Sequence, residues 1–141
     1  EISPLSLHEA VPCSKSDLLP ILSGMAEGDL KDVALEWSTE AAVCVVIAAE
    51  GYPGPYEKGK EISGLEMAGE KENTLTFHAG TELKEEKVVT SGGRVLAVTS
   101  LAPTLRSAII GAYEAVNKIH FEGMYYRRDI ASKGIDKSER N

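Results

Sequence analysis

The stretch AAVCVVIAAEGYPGPYEKGKEI, residues 41–62, limits the fold more than any other part of the chain. Its first nine residues, Ala41 to Ala49, are all apolar, and Val43, Val45, Val46 and Ile47 carry branched Cβ atoms that favour extended backbone. The run is too short to span a membrane and too continuous for a strand with one wet face, so it predicts a strand buried on both faces. The residues after Ala49 cannot continue that strand. Glycines at 51, 54 and 59 and prolines at 53 and 55 fold the chain sharply, and residues 50–62 outrun any simple hairpin loop. Tyr52 and Tyr56 can pack this loop onto its own domain, with Lys58 as the charged tip. Prolines in an ordered loop also suit a face held rigid before a partner docks.

Around this centre the chain of 141 residues is long enough for one domain with a real core. SDLLPILSGMAEG (16–28) predicts a helix capped by Ser16, with Leu18, Leu22 and Met25 on one face and Gly28 at its stop. VALEW (33–37) alternates as a half-buried strand. TLTFHAG (74–80), EKVVTS (86–91) and GRVLAVTSL (93–101) are further strands, and LKEEK (83–87) is the tip of a hairpin. PTLRSAIIGAYEAVNKI (103–119) is the strongest helix, its stripe made by Leu105, Ala108, Ile109, Ala112, Val116 and Ile119. FEGMYYRRDIASKG (121–134) passes from apolar to polar, and IDKSERN (135–141) reads as a frayed tail. The order is that of an α+β domain on a small antiparallel sheet or barrel with flanking helices.

Charge narrows the function. The net charge of −7 argues against broad nucleic-acid binding, which needs phosphate neutralisation. Residues 1–70 carry 4 basic and 13 acidic side chains, and residues 71–141 carry 11 and 9, so an anion site belongs in the second half. No apolar run reaches membrane-spanning length, and the N-terminus shows no basic-then-apolar secretory signal. Cys13 and Cys44 have no metal-ligand spacing and read as reduced thiols of a cytoplasmic protein, Cys44 as plain core.

No nucleophile elbow, P-loop or helical histidine pair is present, and histidines 8, 78 and 120 lie far apart. In SGGRVL (91–96), Gly92 and Gly93 permit close backbone approach and Arg94 comes immediately after them. Backbone amides with a guanidinium fork make a workable phosphate cradle; a glycine bulge that turns the strand, with Arg94 merely exposed, fits the same residues. Arg127 and Arg128 in YYRRD (125–129) are rival anion ligands, or pair with Asp129. His78 and His120 fit structural roles.

Taken together, KSDLLPIL, GYPGPYEKGKEI, FHAGTEL, GGRVLAVTSLAPTL and AYEAVNKIHFEGMYYRRDI resemble the C-terminal domain of the phosphoribosylamine–glycine ligases, in order and spacing, from Val11 to Ile130. The resemblance implies an ATP-grasp ligase of purine synthesis that joins phosphoribosylamine and glycine. It implies ATP and Mg²⁺ held mainly outside this chain by the ATP-grasp core of the same polypeptide, and no catalytic or metal-binding residue within it. It makes Gly92, Gly93 and Arg94 a phosphate-binding strand; Lys58, His78, Arg127 and Arg128 are candidates to face the cleft, with Arg127 and Arg128 expected rather to anchor the terminal segment by pairing with acids such as Asp129. Residues 1–10 do not match the family, which there has an Arg-Phe-Gly-Asp-Pro-Glu segment, and Ala131 stands where the family has glycine. The implied organisation is a non-matching segment 1–10, the ligase domain 11–134 and a tail 135–141, with the chain inactive alone. The competing readings are a non-catalytic interaction domain of the same architecture and the matching domain of a related carboxylase.

Overall fold

In the computed structural model, residues 14–31 and 34–138 are described, 136–138 by backbone alone. The apolar run forms β1 (Ala41–Ala49), but its burial alternates rather than covering both faces. Val43, Val45, Ile47 and Ala49 are buried, while Val46 is 41% exposed. The side chains of a strand alternate between faces, and only one face of β1 is covered by a helix. Cys44 therefore lies half-buried on the other face instead of in the core, and Cys13 is outside the described residues.

Helix α1 (Leu18–Glu27) precedes β1. Asp17, not Ser16, caps it, its side chain accepting from the Leu19 amide at 3.0 Å. Ser16 accepts instead from the Glu36 amide at 2.8 Å and so ties the segment after α1 back to its start. Gly28 ends the helix in the left-handed region, as its sequence position suggests. The apolar face of α1 is not buried: Leu22 and Met25 stand exposed. The strand expected at 33–37 reduces to a bridge between Trp37 and Ser14, with Val33 outside the described residues.

After the long loop come α2 (Leu65–Gly69), β2 (Thr74–His78), β3 (Thr81–Lys84), β4 (Lys87–Thr90), β5 (Arg94–Ala102), α3 (Leu105–Val116), β6 (Met124–Tyr126) and α4 (Ser132–Ser138). The main sheet is antiparallel, ordered β2-β5-β1-β6, and β3 with β4 forms the expected hairpin. Two short elements have no sequence signal: α2, which starts at Gly64 with φ of 80°, and α4, which runs through the segment read as a tail. A side chain at Gly64 would lie 1.8 Å from the Lys118 carbonyl, so α2 sits hard against the end of α3.

Helix α3 covers the core face of β1 and β5. Its N-cap Thr104 accepts from the Ser107 amide at 3.1 Å. Ala108, Gly111, Ala112, Ala115 and Val116 are buried, and their small size lets the helix lie close to the sheet. A Cβ on Gly111 would meet the Ser100 hydroxyl at 2.3 Å. Below it Val45, Ile47, Leu96, Val98 and Phe121 fill the core.

One-sided burial makes a test. Ile47→Ala should cost about 2–5 kcal/mol, the range for a core isoleucine, whereas Val46→Ala next to it should cost under about 1 kcal/mol. Urea unfolding of both variants checks this, and equal losses would show that both faces are packed.

Candidate functional site

The register of β1 on β5 decides where Arg94 points. Pairing runs regularly from Ala41–Ala102 to Ile47–Leu96, then shifts so that Ala48 faces Arg94. Regular pairing would have set Arg94 opposite the buried Ala49, on the core face. The bulge at Val95 accommodates one extra residue and keeps Val95 itself fully buried. Arg94 is thereby turned to the side of Ala48, Val46 and Cys44, away from α3. A turned strand and an exposed arginine are alternatives to a ligand site on sequence grounds, yet here they are what creates a pocket.

That pocket has a volume of about 500 Å³ and includes Cys44, Tyr52, Phe77, His78, Gly93 and Arg94 in its walls. Its size is in the range of small-molecule sites. Arg94 is exposed and makes no ion pair or side-chain hydrogen bond among the described residues. Other cations do: Lys60, Lys71, Lys84, Lys87 and Arg127 each pair with a carboxylate. His78 reaches the pocket from the end of β2 and shares a 2.9 Å hydrogen bond between its Nδ1 and the Thr81 hydroxyl.

The glycines serve chain contact. Gly92 lies against Gly80, where a Cβ on Gly80 would be 2.6 Å from the Gly92 Cα, and the Gly92 amide donates to the Gly80 carbonyl at 3.1 Å. That amide is spent within the protein, so of the expected cradle the Arg94 guanidinium, and not the Gly92 amide, is left to meet a ligand. Gly93 makes room for Tyr52, whose ring occupies the space a side chain would need.

The long loop delivers Tyr52. Gly51, with φ of 92°, packs so tightly on the Pro55 carbonyl that a Cβ would lie 2.2 Å away, a conformation open to glycine alone. The Tyr52–Pro53 bond is cis. Tyr52 and Tyr56 meet edge to face, their centroids 6.1 Å apart. Lys58 stands 5.9 Å from the Tyr56 ring and does not line the Arg94 pocket. Lys60 closes the loop, pairing with Glu57 at 2.7 Å and Glu122 at 3.0 Å. The hydrogen bond from Lys60, and then its charge, hold the Glu57 carboxyl below the usual carboxylate range. Glu57, and then Glu122, hold Lys60 above the usual lysine range.

Arg127 and Arg128 lie elsewhere. Arg127 makes two hydrogen bonds to Asp129, at 2.9 and 2.6 Å, and Arg128 lies 6.0 Å from the Tyr126 ring. The structure therefore brings together Gly93, Arg94 and His78 in the pocket wall, and leaves Gly92, Lys58, Arg127 and Arg128 out of it. Sequence reasoning missed Phe77 and Cys44 as pocket walls; alternation along β1 and β2 was the signal available for both.

Residues 42–133 match the family described as phosphoribosylglycinamide synthetase, C domain. The chain belongs to this family. It is 51% identical over 126 residues to the phosphoribosylamine–glycine ligase of Synechocystis sp., a match covering 89% of this chain and 30% of the relative. It is 48% identical over 122 residues to the ligase of the same name from Caldanaerobacter subterraneus, covering 86% and 28%. The crystal structure of phosphoribosylamine–glycine ligase from Thermotoga maritima superposes with a TM-score of 0.62 at 43% identity, covering 77% of this chain and 26% of that one. The chain thus spans under a third of the length of these ligases. The C-domain match begins one residue into β1, so it holds the pocket strands but not α1.

The Lys60 clamp in this C domain carries a pH signature. A depressed Glu57 pKa means its stabilisation is complete above the ordinary carboxylate pKa and is lost as pH falls through the lowered folded value. The Gly59 amide, which donates to the Thr90 carbonyl at 2.6 Å, should keep its exchange protection from pH 7 down to about 5 and lose it progressively below about 4. Glu57→Gln should weaken that loss. Protection factors from amide exchange give the answer, and an unprotected Gly59 at pH 7 would show that the loop is not preformed.

Proposed function

We propose that this C domain is the substrate-facing part of an ATP-dependent ligase that joins phosphoribosylamine to glycine and so forms glycinamide ribonucleotide in purine synthesis. The observation that carries the reading is Arg94, turned by the strand bulge into a small-molecule-sized pocket with no carboxylate of the described residues paired to it. A guanidinium so placed suits an anion supplied from outside, and the sugar 5′-phosphate of phosphoribosylamine is such a group. The names of the relatives support the choice of substrate.

In the reaction proposed, ATP phosphorylates the glycine carboxylate, and the amine of phosphoribosylamine attacks the resulting acyl phosphate, forming the amide and expelling phosphate. Arg94 takes no proton in either step. It holds the far end of the sugar phosphate so that the amine is aimed at the acyl carbon. Gly92 and Gly93 place the strand that carries it, and His78 supplies a polar edge to the same pocket. The domain spans under a third of the length of the related ligases, and Mg²⁺ and the ATP phosphates are assigned to an ATP-grasp core in the remainder of such a ligase. That core is the proposed partner of the domain, in the same polypeptide and in the cytoplasm. No helix among the described residues is long and apolar enough to cross a membrane.

Arginine replacement in a full-length ligase carrying this domain tests the assignment. A hydrogen bond to a charged group contributes roughly 1.5–3 kcal/mol, so Arg94→Ala should lower kcat/KM for phosphoribosylamine about 10- to 100-fold. The phosphate is remote from the reacting amine, so most of the loss should sit in KM, with the KM values for ATP and glycine nearly unchanged. Arg127→Ala and Arg128→Ala should leave the phosphoribosylamine KM near wild type. The opposite pattern, with Arg94→Ala silent, would sink the assignment. The 141-residue chain by itself should release no ADP on mixing with ATP, glycine and phosphoribosylamine. Release above a protein-free control would show that it carries its own ATP site.

A further inference from the structure

We propose that Tyr52 is the wall of the Arg94 pocket against which the sugar of the bound sugar phosphate lies, and that position 93 is glycine in order to seat that ring. The proposal rests on Arg94 holding the phosphate, and deepens it by naming the group that distinguishes a sugar phosphate from phosphate alone.

Three observations carry it. First, Tyr52 is fixed on two sides. A Cβ on Gly93 would lie 2.1 Å from one ring carbon and 2.7 Å from the next, so the ring fills that space completely, and the edge of Tyr56 meets it at 6.1 Å. Second, the ring is not spent on the core. It remains 41% exposed, whereas its loop neighbour Tyr56 packs against the core cluster. A tyrosine serving only to anchor the loop would gain more by burying its whole ring. Third, Tyr52 lines the same pocket as Arg94, and it is seated on the residue that immediately precedes that arginine. An apolar ring surface and a guanidinium thus stand side by side, matching the two halves of a ribose phosphate.

The ring is also held before any ligand arrives. The Tyr52 amide donates to the Ala49 carbonyl at 3.2 Å, and the Glu50 amide to the Gly123 carbonyl at 2.7 Å. With the loop root fixed, little freedom is lost on contact, so the wall adds to affinity at small entropic cost.

The test uses a full-length ligase carrying this domain, with ribose 5-phosphate and inorganic phosphate as competitive inhibitors against phosphoribosylamine. Tyr52→Leu should weaken inhibition by ribose 5-phosphate about 3- to 10-fold and leave inhibition by inorganic phosphate unchanged. It should raise the phosphoribosylamine KM by a similar factor, with kcat and the KM values for ATP and glycine near wild type. Tyr52→Phe should restore ribose 5-phosphate inhibition, because the ring and not the hydroxyl forms the wall. Arg94→Ala should weaken inhibition by both. If Arg94→Ala does so while Tyr52→Leu changes neither, the wall is refuted and the phosphate site stands. If Arg94→Ala changes neither, the phosphate site falls and the wall with it. Should Tyr52→Leu fail to fold, Gly93→Ala, which must push the ring aside while keeping the tyrosine, is to show the same ribose-selective loss; wild-type inhibition by both compounds would overturn the proposal.

Discussion

The single shift in the β1–β5 ladder is the constraint on which the rest of this domain depends. Seven pairs of regular register, from Ala41–Ala102 to Ile47–Leu96, commit alternate side chains of both strands to α3. Continued by two residues, the same register would turn the guanidinium to the core face, opposite the buried Ala49, where burying an unpaired charge costs several kcal/mol. The extra residue at Val95 removes that conflict. It places one more valine in the core and delivers Arg94 to the opposite face within one residue of chain. Core packing and the placement of a charge are settled by one irregularity, and neither could be altered alone.

The long loop answers to the same site. Its tight Gly51–Pro55 contact, its tyrosine pair and its Lys60 clamp all hold Tyr52 at one place, over Gly93. A shorter connection would link β1 to the rest of the chain equally well, but it would leave the base of Arg94 unwalled. The loop's length is thus accounted for by position rather than by connection. The exposed ion pairs contribute little to global stability, because solvent screens them. Their role here is local, in fixing the end of a loop that has few buried side chains.

Much of this architecture was legible in the sequence where one physical rule acted alone. The stripe of α3, the Gly28 stop, the β3–β4 hairpin and the three central strands arise from periodicity and turn chemistry that no tertiary contact opposes. Rules that compete were less legible. The run 41–49 is apolar at every position, so its sequence could not say that one face is half open; only the position of α3 decides that. Ser16 and Asp17 are both good caps, and the choice fell to Asp17 because Ser16 is occupied by Glu36. Helices α2 and α4 are too short for a periodic signal, and each is held by its contacts rather than by propensity. At the pocket, the roles that GGR suggested differ in part from the ones its residues have in the fold. The glycines suggested amides exposed to an anion, yet one amide is spent on Gly80 and the other residue makes room for an aromatic ring.

That division of labour bears on how a small acidic domain could present the anion site proposed for Arg94. With 22 acidic side chains against 15 basic ones, a lysine or arginine has many carboxylates with which it can pair. Lys60, Lys71, Lys84, Lys87 and Arg127 have done so, and for them an incoming phosphate would have to displace an internal partner. Arg94 has no such partner among the described residues, and no carboxylate stands with it in the pocket wall, where Cys44, Val46, Tyr52, Phe77 and Ala97 are its neighbours. Apolar surroundings, not an accumulation of positive charge, are therefore what can make a single arginine selective for phosphate on a protein whose net charge would repel it.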